Sequence, residues 1–352
     1  MIKYILIIVI AFTGFIPVYQ TSINVLPKGE DAHTAPIIFS EGVLFVGASG
    51  VAYHWPAGLD VWDSGYKLRL HPKIASINDL FIFPSVFLQE VSAFSSNGSK
   101  VWSLRVPGMP SAPSLSDNSI LIHTSKGFLT LVDEDGNIFQ QDFVDVKSQM
   151  FHSYPVVVDN DKVLLYGSNM DGNGGNVVLW SLSNRDEIWR FHHESVFVSP
   201  PSFNDKTIAI KSGDSEGRII LIDLETGMPV ARIGFAGAND LKFTSIDSEG
   251  DFFYLTLDST ALKLEDNGNV VWEFNGEGIF TSPVIWGEYL VLGSRNTASE
   301  DGNGIGFFNR LTGDLVHWHS LEDGVNADPV VSEDACIVID SNGFAHFFKN
   351  EV

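Results

Sequence analysis

The chain has 352 residues, of which 44% are hydrophobic and 12% aromatic, enough apolar material for a sizeable core and too much for a disordered protein. It carries 44 Asp and Glu against 21 Lys and Arg, and the formal net charge of −23 disfavours binding to nucleic acid or anionic lipid. The single cysteine, Cys336, excludes an intramolecular disulfide and a cysteine-ligated zinc site.

The N-terminal residues have the pattern of an export signal. Lys3 precedes an apolar run over residues 4–15, which matches the positive and apolar regions of a signal peptide. Even extended to residue 18, the run is shorter than the roughly 20 residues of a membrane-spanning helix. We predict a cleaved signal over residues 1–20, with an uncleaved anchor through residues 4–18 as the alternative. Both predict a periplasmic or otherwise extracytoplasmic protein with no other membrane segment.

The rest of the chain repeats about every forty residues. A residue pair that usually ends in proline opens a short apolar run eight times, and the second residue of each opening pair is residue 36, 76, 113, 155, 200, 245, 283 or 329. Eight such units fill residues 33–352 and leave no room for a second domain. We therefore expect one domain over residues 21–352.

Each unit predicts four short strands. In the seventh, a strand at 283–286 is followed by a turn and a second strand at 289–293. A third strand then precedes an Asp-Gly, Asn-Gly or Thr-Gly turn, which supplies the positive φ of a tight hairpin, and a fourth strand carries an aromatic residue. Eight units of four strands predict an all-β, eight-bladed β-propeller with four-stranded antiparallel blades and almost no helix.

The last unit contains three strands, so the ring needs a fourth from elsewhere. Residues 22–26 alternate polar and apolar side chains as a half-buried strand does. We predict that this N-terminal segment supplies the outermost strand of the last blade and closes the ring.

The turn after the third strand resembles a known repeat. Residues 222–227 read Ile-Asp-Leu-Glu-Thr-Gly and resemble the Asp-x-x-Thr-Gly blade motif of PQQ-like (quinoprotein-like) propellers, in which tryptophan stands four residues after the glycine. Other units depart from the motif at Gln140, Ala231 and His317, and the first carries Arg69. The resemblance implies that the tryptophans dock each blade on the next. The residues assigned this role are Trp102, Trp189, Trp272 and Trp318.

The resemblance also limits the function. Quinoprotein dehydrogenases of this kind hold pyrroloquinoline quinone beside Ca²⁺, but a lone cysteine cannot form their vicinal disulfide and no catalytic aspartate motif aligns, so we do not expect this quinone. In size the chain is similar to the eight-bladed propeller lipoproteins of outer-membrane β-barrel assembly, which are scaffolds. It lacks their lipid-attachment cysteine.

Two enlarged loops between second and third strands are candidate calcium sites. Each alternates oxygen side chains with glycine, a pattern that can wrap a hard cation. The alternative is the ordinary composition of an exposed turn. The candidate ligands are Asp171 and Asn173 in one loop and Asp301 and Asn303 in the other.

The connections between blades supply candidate partner-binding residues: His192, His193, Phe197 and Phe280. Adjacent histidines on a strand point to opposite sides, which argues against both binding one metal ion. His317 and His319 share one side of an outer strand, where we expect packing or surface roles.

Two classes of function remain. The first is an exported, non-enzymatic, monomeric ring that binds a partner protein, an envelope component or a ligand through its loops. The second is an extracytoplasmic enzyme, either quinoprotein-like or carbohydrate-active, although no catalytic residues can be assigned.

Overall fold

The regular structure consists of short β-strands. The computed structural model describes residues 16–26, 34–55, 60–65, 73–85, 87–117, 119–148, 153–169, 173–197, 199–213, 218–234, 246–250, 252–257, 259–296 and 302–351. These residues form 33 strands and no α-helix, and hence contain no helix able to cross a membrane. Eight antiparallel sheets follow one another along the chain, and the first strands of several neighbouring sheets are in contact. The predicted eight-bladed propeller is confirmed.

Within each blade the strands are arranged side by side, with the first strand at the axis and the outermost strand at the rim. The first four blades are blade 1, with β2 (Ile37–Phe39), β3 (Gly42–Val46), β4 (Val51–Trp55) and β5 (Asp60–Asp63); blade 2, with β6 (Ala75–Ile77), β7 (Leu80–Ser85), β8 (Glu90–Ser95) and β9 (Lys100–Arg105); blade 3, with β10 (Ser114–Ser116), β11 (Ser119–His123), β12 (Phe128–Val132) and β13 (Ile138–Phe143); and blade 4, with β14 (Val156–Val157), β15 (Lys162–Ser168), β16 (Gly175–Ser181) and β17 (Asp186–His193).

The other four blades repeat this plan. They are blade 5, with β18 (Ser202–Phe203), β19 (Thr207–Lys211), β20 (Ile219–Asp223) and β21 (Pro229–Ile233); blade 6, with β22 (Ile246–Glu249), β23 (Phe252–Leu257), β24 (Thr260–Glu265) and β25 (Val270–Asn275); blade 7, with β27 (Val284–Trp286), β28 (Tyr289–Arg295), β29 (Gly304–Asn309), β30 (Leu315–Ser320) and the extra β26 (Ile279–Phe280) on β28; and blade 8, with β31 (Val330–Val331), β32 (Ala335–Ile339), β33 (Phe344–Glu351) and β1 (Ile16–Asn24).

The middle strands of each blade are buried on both faces. In β11, Leu121 packs into the core between blades 3 and 4, whereas Ile120 and Ile122 pack into the core between blades 2 and 3. A strand with a neighbouring sheet on each side reads as a continuous apolar run because both of its faces leave water. The core is therefore a series of layers between blades.

A β-bulge recurs near the start of the outermost strand in blades 2 to 7. One residue of that strand is skipped in the pairing with the third strand, and all six skipped residues are exposed and apolar: Val101, Phe139, Ile188, Val230, Val271 and Val316. A bulge shifts the alternation of a strand and so re-aims the next side chain. The residues that follow the bulges are Trp102, Gln140, Trp189, Ala231, Trp272 and His317.

The predicted closure of the ring is confirmed. β1 pairs antiparallel with β33, from Ile16 opposite Glu351 to Asn24 opposite Phe344. The strand begins before residue 22 and includes residues 16–20 of the segment predicted as the signal; residues 1–15 lie outside the described part of the chain. The amides of the next two residues, Val25 and Leu26, donate to the carbonyl oxygen of Gly343, and both side chains are buried against blade 1.

Candidate functional site

The two faces of the ring carry different connections. In an antiparallel blade, the links between second and third strands lie on the same side as the links from one blade to the next. We call this side the loop face. The opposite side holds the turns between first and second and between third and fourth strands, and we call it the turn face. β1 runs from the turn face towards the loop face, because it is antiparallel to β33.

Three of the sequence-assigned tryptophans lie between blades. Each donates its indole N–H to the first carbonyl of the next blade's turn, and the pairs are Trp102 with Glu134 (2.7 Å), Trp189 with Leu224 (3.0 Å) and Trp272 with Arg310 (3.2 Å). The turn glycine packs on the ring: a Cβ added to Gly136 would lie 2.7 Å from Cγ of Trp102. The glycine thus leaves space for the indole as well as adopting a positive φ of 85°.

Two sequence assignments are corrected by the positions of these rings. In blade 1 the residue packed on the next turn glycine is Trp62, whose Cγ would lie 2.3 Å from a Cβ at Gly98, and not Arg69, which lies outside the described residues. In blade 7 the bulge at Val316 turns His317 towards blade 8. Trp318 therefore lies on the other face of its own sheet, over Gly304.

A polar set replaces the Trp–Gly contact between blades 3 and 4. Gln140 donates from Nε2 to the carbonyl oxygen of Leu182 (3.0 Å), the bond that an indole makes elsewhere, and also to Asp142 (2.6 Å). Arg185, at the glycine position of the turn with φ 57°, donates back to Oδ1 of Asp142 at 2.5 Å. The buried carboxylate of Asp142 is thus held by two side chains, one from each blade.

The residues predicted to bind a partner are mostly internal. His193, Phe197 and Phe280 are buried, with 6%, 0% and 3% of their surface exposed, and only His192 is exposed. The amide of Ser195 donates to Nδ1 of His193 (3.1 Å), and the ring of Phe197 packs 5.8 Å from that of His193. Phe197 lies in the core between blades 4 and 5, and Phe280 lies in the core between blades 6 and 7. Because all three side chains are buried, they are not available to a partner on the surface, which corrects their assignment.

The candidate calcium loops are described only in part. Asp171 and Asp301 lie outside the described residues. Asn303 is buried, and its Oδ1 accepts a hydrogen bond from the amide of Asn296 (2.7 Å), whereas Asn173 is exposed and its carbonyl oxygen accepts from the side chain of Asn169. Within the described ranges, no three His, Cys, Asp or Glu side chains converge as they would around a metal ion.

The histidines of blade 7 meet the closing strand. The ring of His319 stacks on Tyr19 of β1 with centroids 4.2 Å apart, and that of His346 lies 6.0 Å from His319. Loss of hydration, followed by repulsion from His346 and His317, lowers the pKa of His319. Nε2 of His346 is 3.0 Å from Oδ2 of Asp340, and this pair is buried behind β1. The predicted shared side of His317 and His319 is therefore a packed surface between blades 7 and 8.

A cavity of about 630 Å³ lies beside the axis. The first strands of blades 2 to 5 and the residues just before them form its wall: Lys73 to Ser76, Pro113 to Leu115, Tyr154 to Val157 and Pro201 to Phe203. Each of these segments starts at the loop face. The wall is mostly proline, aliphatic and aromatic, with serine hydroxyls between.

One cation lies in this cavity. Nζ of Lys73, from blade 2, stands 4.3 Å from the ring centroid of Tyr154, from blade 4. The Lys73 side chain is exposed to solvent, but the surrounding protein partly desolvates its ammonium group. This desolvation lowers the pKa of Lys73. No local sequence pattern predicts this pair, because the two residues are distant in the chain.

The loop face also presents two large apolar side chains. Phe87 and Leu88, between β7 and β8, are 77% and 54% exposed. Their turn is anchored, because the amide of Leu88 donates to Oγ of Ser85 (3.4 Å) and the carbonyl oxygen of Gln89 accepts from the amide of Val106 (3.0 Å). The sequence signal was visible as an apolar pair in a predicted loop, but nothing local showed that it faces solvent.

The fold is shared with solved structures of low sequence similarity. No protein-family model and no curated protein sequence matches the chain. BamB from Moraxella catarrhalis superposes with a TM-score of 0.72 and 13% identity, over 95% of this chain and 98% of that one. The chain is an eight-bladed propeller like BamB.

Two further structures give the same result. The computationally designed Ika8 protein matches with a TM-score of 0.69 and 16% identity over 92% of this chain and 98% of its own. Sqt1 from Saccharomyces cerevisiae matches with a TM-score of 0.70 and 13% identity over 93% and 98%. At such identities the likeness concerns the fold alone.

Proposed function

We propose that this protein is an extracytoplasmic, non-enzymatic β-propeller of the PQQ-like repeat group that binds a partner protein through the loop face of blade 2. The observation that carries the proposal is the anchored turn that holds Phe87 and Leu88 in solvent. Exposed apolar side chains on a fixed turn gain free energy when a partner covers them, and aromatic residues are enriched at such contacts.

The direction of the closing strand supports this choice of face. β1 starts at the turn face, so a segment that precedes Ile16 reaches the ring from that side. An uncleaved N-terminal anchor joined to β1 at the turn face would leave the loop face directed away from the membrane. The net charge of −23 further favours a protein partner over nucleic acid.

Site-specific photocrosslinking in the producing organism tests the proposal. Benzoylphenylalanine at position 87 replaces an exposed phenylalanine of the loop face, and the same residue at position 139 replaces an equally large phenylalanine that is 55% exposed near the turn face. We expect a crosslinked protein of one defined mass from position 87 and none from position 139. The double variant Phe87→Ser, Leu88→Ser should release that protein while its melting temperature stays unchanged. Crosslinks of the same yield from both positions would contradict the assignment of this face.

A further inference from the structure

The axial cavity holds an ammonium group that no carboxylate neutralises within the described residues. We propose that this cavity binds a small organic acid, with one carboxylate on an apolar body, and that Lys73 holds the carboxylate. The proposal is independent of the protein partner at blade 2.

The charge of the wall selects an anion. Lys73 is the one charged side chain among the described residues that line the cavity, and no ion pair of Lys73 with a described carboxylate occurs. In a chain with 44 acidic and 21 basic residues, acidic partners for a lysine are abundant. Instead its ammonium lies over the ring of Tyr154, which attracts the cation without neutralising it. The pKa of Lys73 is lowered by loss of water, so a bound carboxylate would stabilise the charged form.

The number of charges limits the ligand to one carboxylate. A single lysine compensates one negative charge, and the net charge of −23 repels any further ones. Small-molecule sites are mostly apolar and span roughly 300–1,000 Å³, so a cavity of about 630 Å³ is of the right size for an organic acid. Proline, aliphatic and aromatic side chains such as Phe203 would contact its apolar body.

The wall also contains a buried hydroxyl group to which no described residue forms a hydrogen bond. Ser114, in the first strand of blade 3, lies between the segments that carry Lys73 and Tyr154, and its Oγ is buried with no hydrogen-bond partner among the described residues. A buried hydroxyl of this kind costs free energy until a ligand or water satisfies it. An apolar wall, one cation and one unsatisfied hydroxyl together form a site for a polar head on an apolar body.

Fluorine NMR of the full chain tests the inference with a defined probe. 4-(Trifluoromethyl)benzoate carries one carboxylate on an apolar ring, and 4-(trifluoromethyl)benzamide is its neutral analogue. We expect the benzoate to bind at least about tenfold more tightly than the benzamide, which corresponds to about 1.4 kcal/mol. Lys73→Met keeps an apolar stem and should remove this preference, whereas Lys73→Arg should retain it.

A matched control distinguishes binding at Lys73 from a general effect of the net charge of the protein on benzoate. Lys162 lies near the turn face beside Asp159, and Lys162→Met removes the same charge elsewhere without effect on benzoate binding. Equal affinities for the two probes, a preference that survives Lys73→Met, or no benzoate binding at millimolar concentrations would overturn the inference. None of these outcomes would bear on the crosslink at position 87.

Discussion

Single side chains decide how tightly neighbouring blades join. Trp102 contacts the next blade through two features: its N–H group bonds to a turn carbonyl, and its ring covers the turn glycine, Gly136. A large amphipathic ring suits this position because it fills an apolar gap and its one donor reaches a backbone acceptor.

The glycine of this contact can be tested against a matched glycine. Gly136→Ala introduces a Cβ 2.7 Å from Trp102 Cγ at φ 85°, whereas Gly65→Ala introduces one at φ 73° with no atom of the described residues within 4 Å. Both substitutions place a Cβ on a residue with left-handed backbone, which costs about 1 kcal/mol of folding free energy. We expect Gly136→Ala to lower the free energy of unfolding by about 1–2 kcal/mol more than Gly65→Ala, measured by urea denaturation. Equal losses would mean that the ring does not constrain this turn.

Burial of His123 predicts that the fold loses stability in acid. Loss of hydration outweighs the hydrogen bond from Nε2 of His123 to the carbonyl of Val146 and lowers the pKa of His123 to about 4. The folded state therefore holds the ring neutral, while the unfolded chain titrates near the ordinary value of 6.5. This stabilisation is fully present above about pH 6.5 and is lost as the pH falls towards 4.

A variant that cannot ionise measures that loss. His123→Gln keeps a donor for Val146 but has no titrating group. Between about pH 7.5 and pH 4, the free energy of unfolding of the wild type should fall by about 3 kcal/mol more than that of the variant. Parallel pH profiles of the two proteins would show that the ring is not kept neutral in the fold.

At the level of the strand, the bulge decides which side chain meets the next blade. The six bulges place the following residue towards the neighbour whatever its chemistry. Three of the six blades present tryptophan there, and blade 3 presents Gln140. The interface between blades 3 and 4 also differs from the others at two further positions. Asp142 replaces the apolar residue that is Leu104 in blade 2 and Phe191 in blade 4. Arg185 replaces the glycine of the other turns.

The polar set should behave as a unit. Arg185→Gly removes the two hydrogen bonds that Nε and Nη2 of Arg185 donate to the buried carboxylate of Asp142 and should cost about 1–3 kcal/mol. The triple variant Gln140→Trp, Asp142→Leu, Arg185→Gly introduces the combination found between blades 2 and 3 and should recover stability to within about 1 kcal/mol of the wild type. Losses that simply add across the three substitutions would contradict this coupling.

For the whole molecule, stability depends on joining the two ends of the chain. β1 completes blade 8, Tyr19 reaches His319 of blade 7, and Leu26 packs with blade 1. Three blades thus meet at one nine-residue strand and the two residues after it. A ring whose sheets each cover their neighbours has no exposed end, which is why the closing strand affects every blade.

A deletion and a circular permutation test whether the ring needs the closing strand itself, wherever that strand stands in the chain. Removal of residues 1–26 should lower the unfolding midpoint and broaden the transition, since blades 8 and 1 lose their shared core. A permuted chain that starts at residue 34 and carries residues 16–26 after residue 351, through a short turn, restores the strand in the same register. We expect it to unfold as sharply as the wild type. A deletion variant with an unchanged melting curve would show that the ring does not need the strand.

The sequence by itself determined the number of blades, their strand order and the origin of the closing strand. Apolar runs, glycine turns and unit length are local features, and each is repeated often enough to be read without contacts. Only the tertiary structure decided which residues meet between blades. The bulge moves the docking position to His317 and not Trp318, and burial removes Phe197 and Phe280 from the surface. Lys73 and Tyr154 meet because ring closure brings blades 2 and 4 to one side of the axis, a contact that no local pattern encodes.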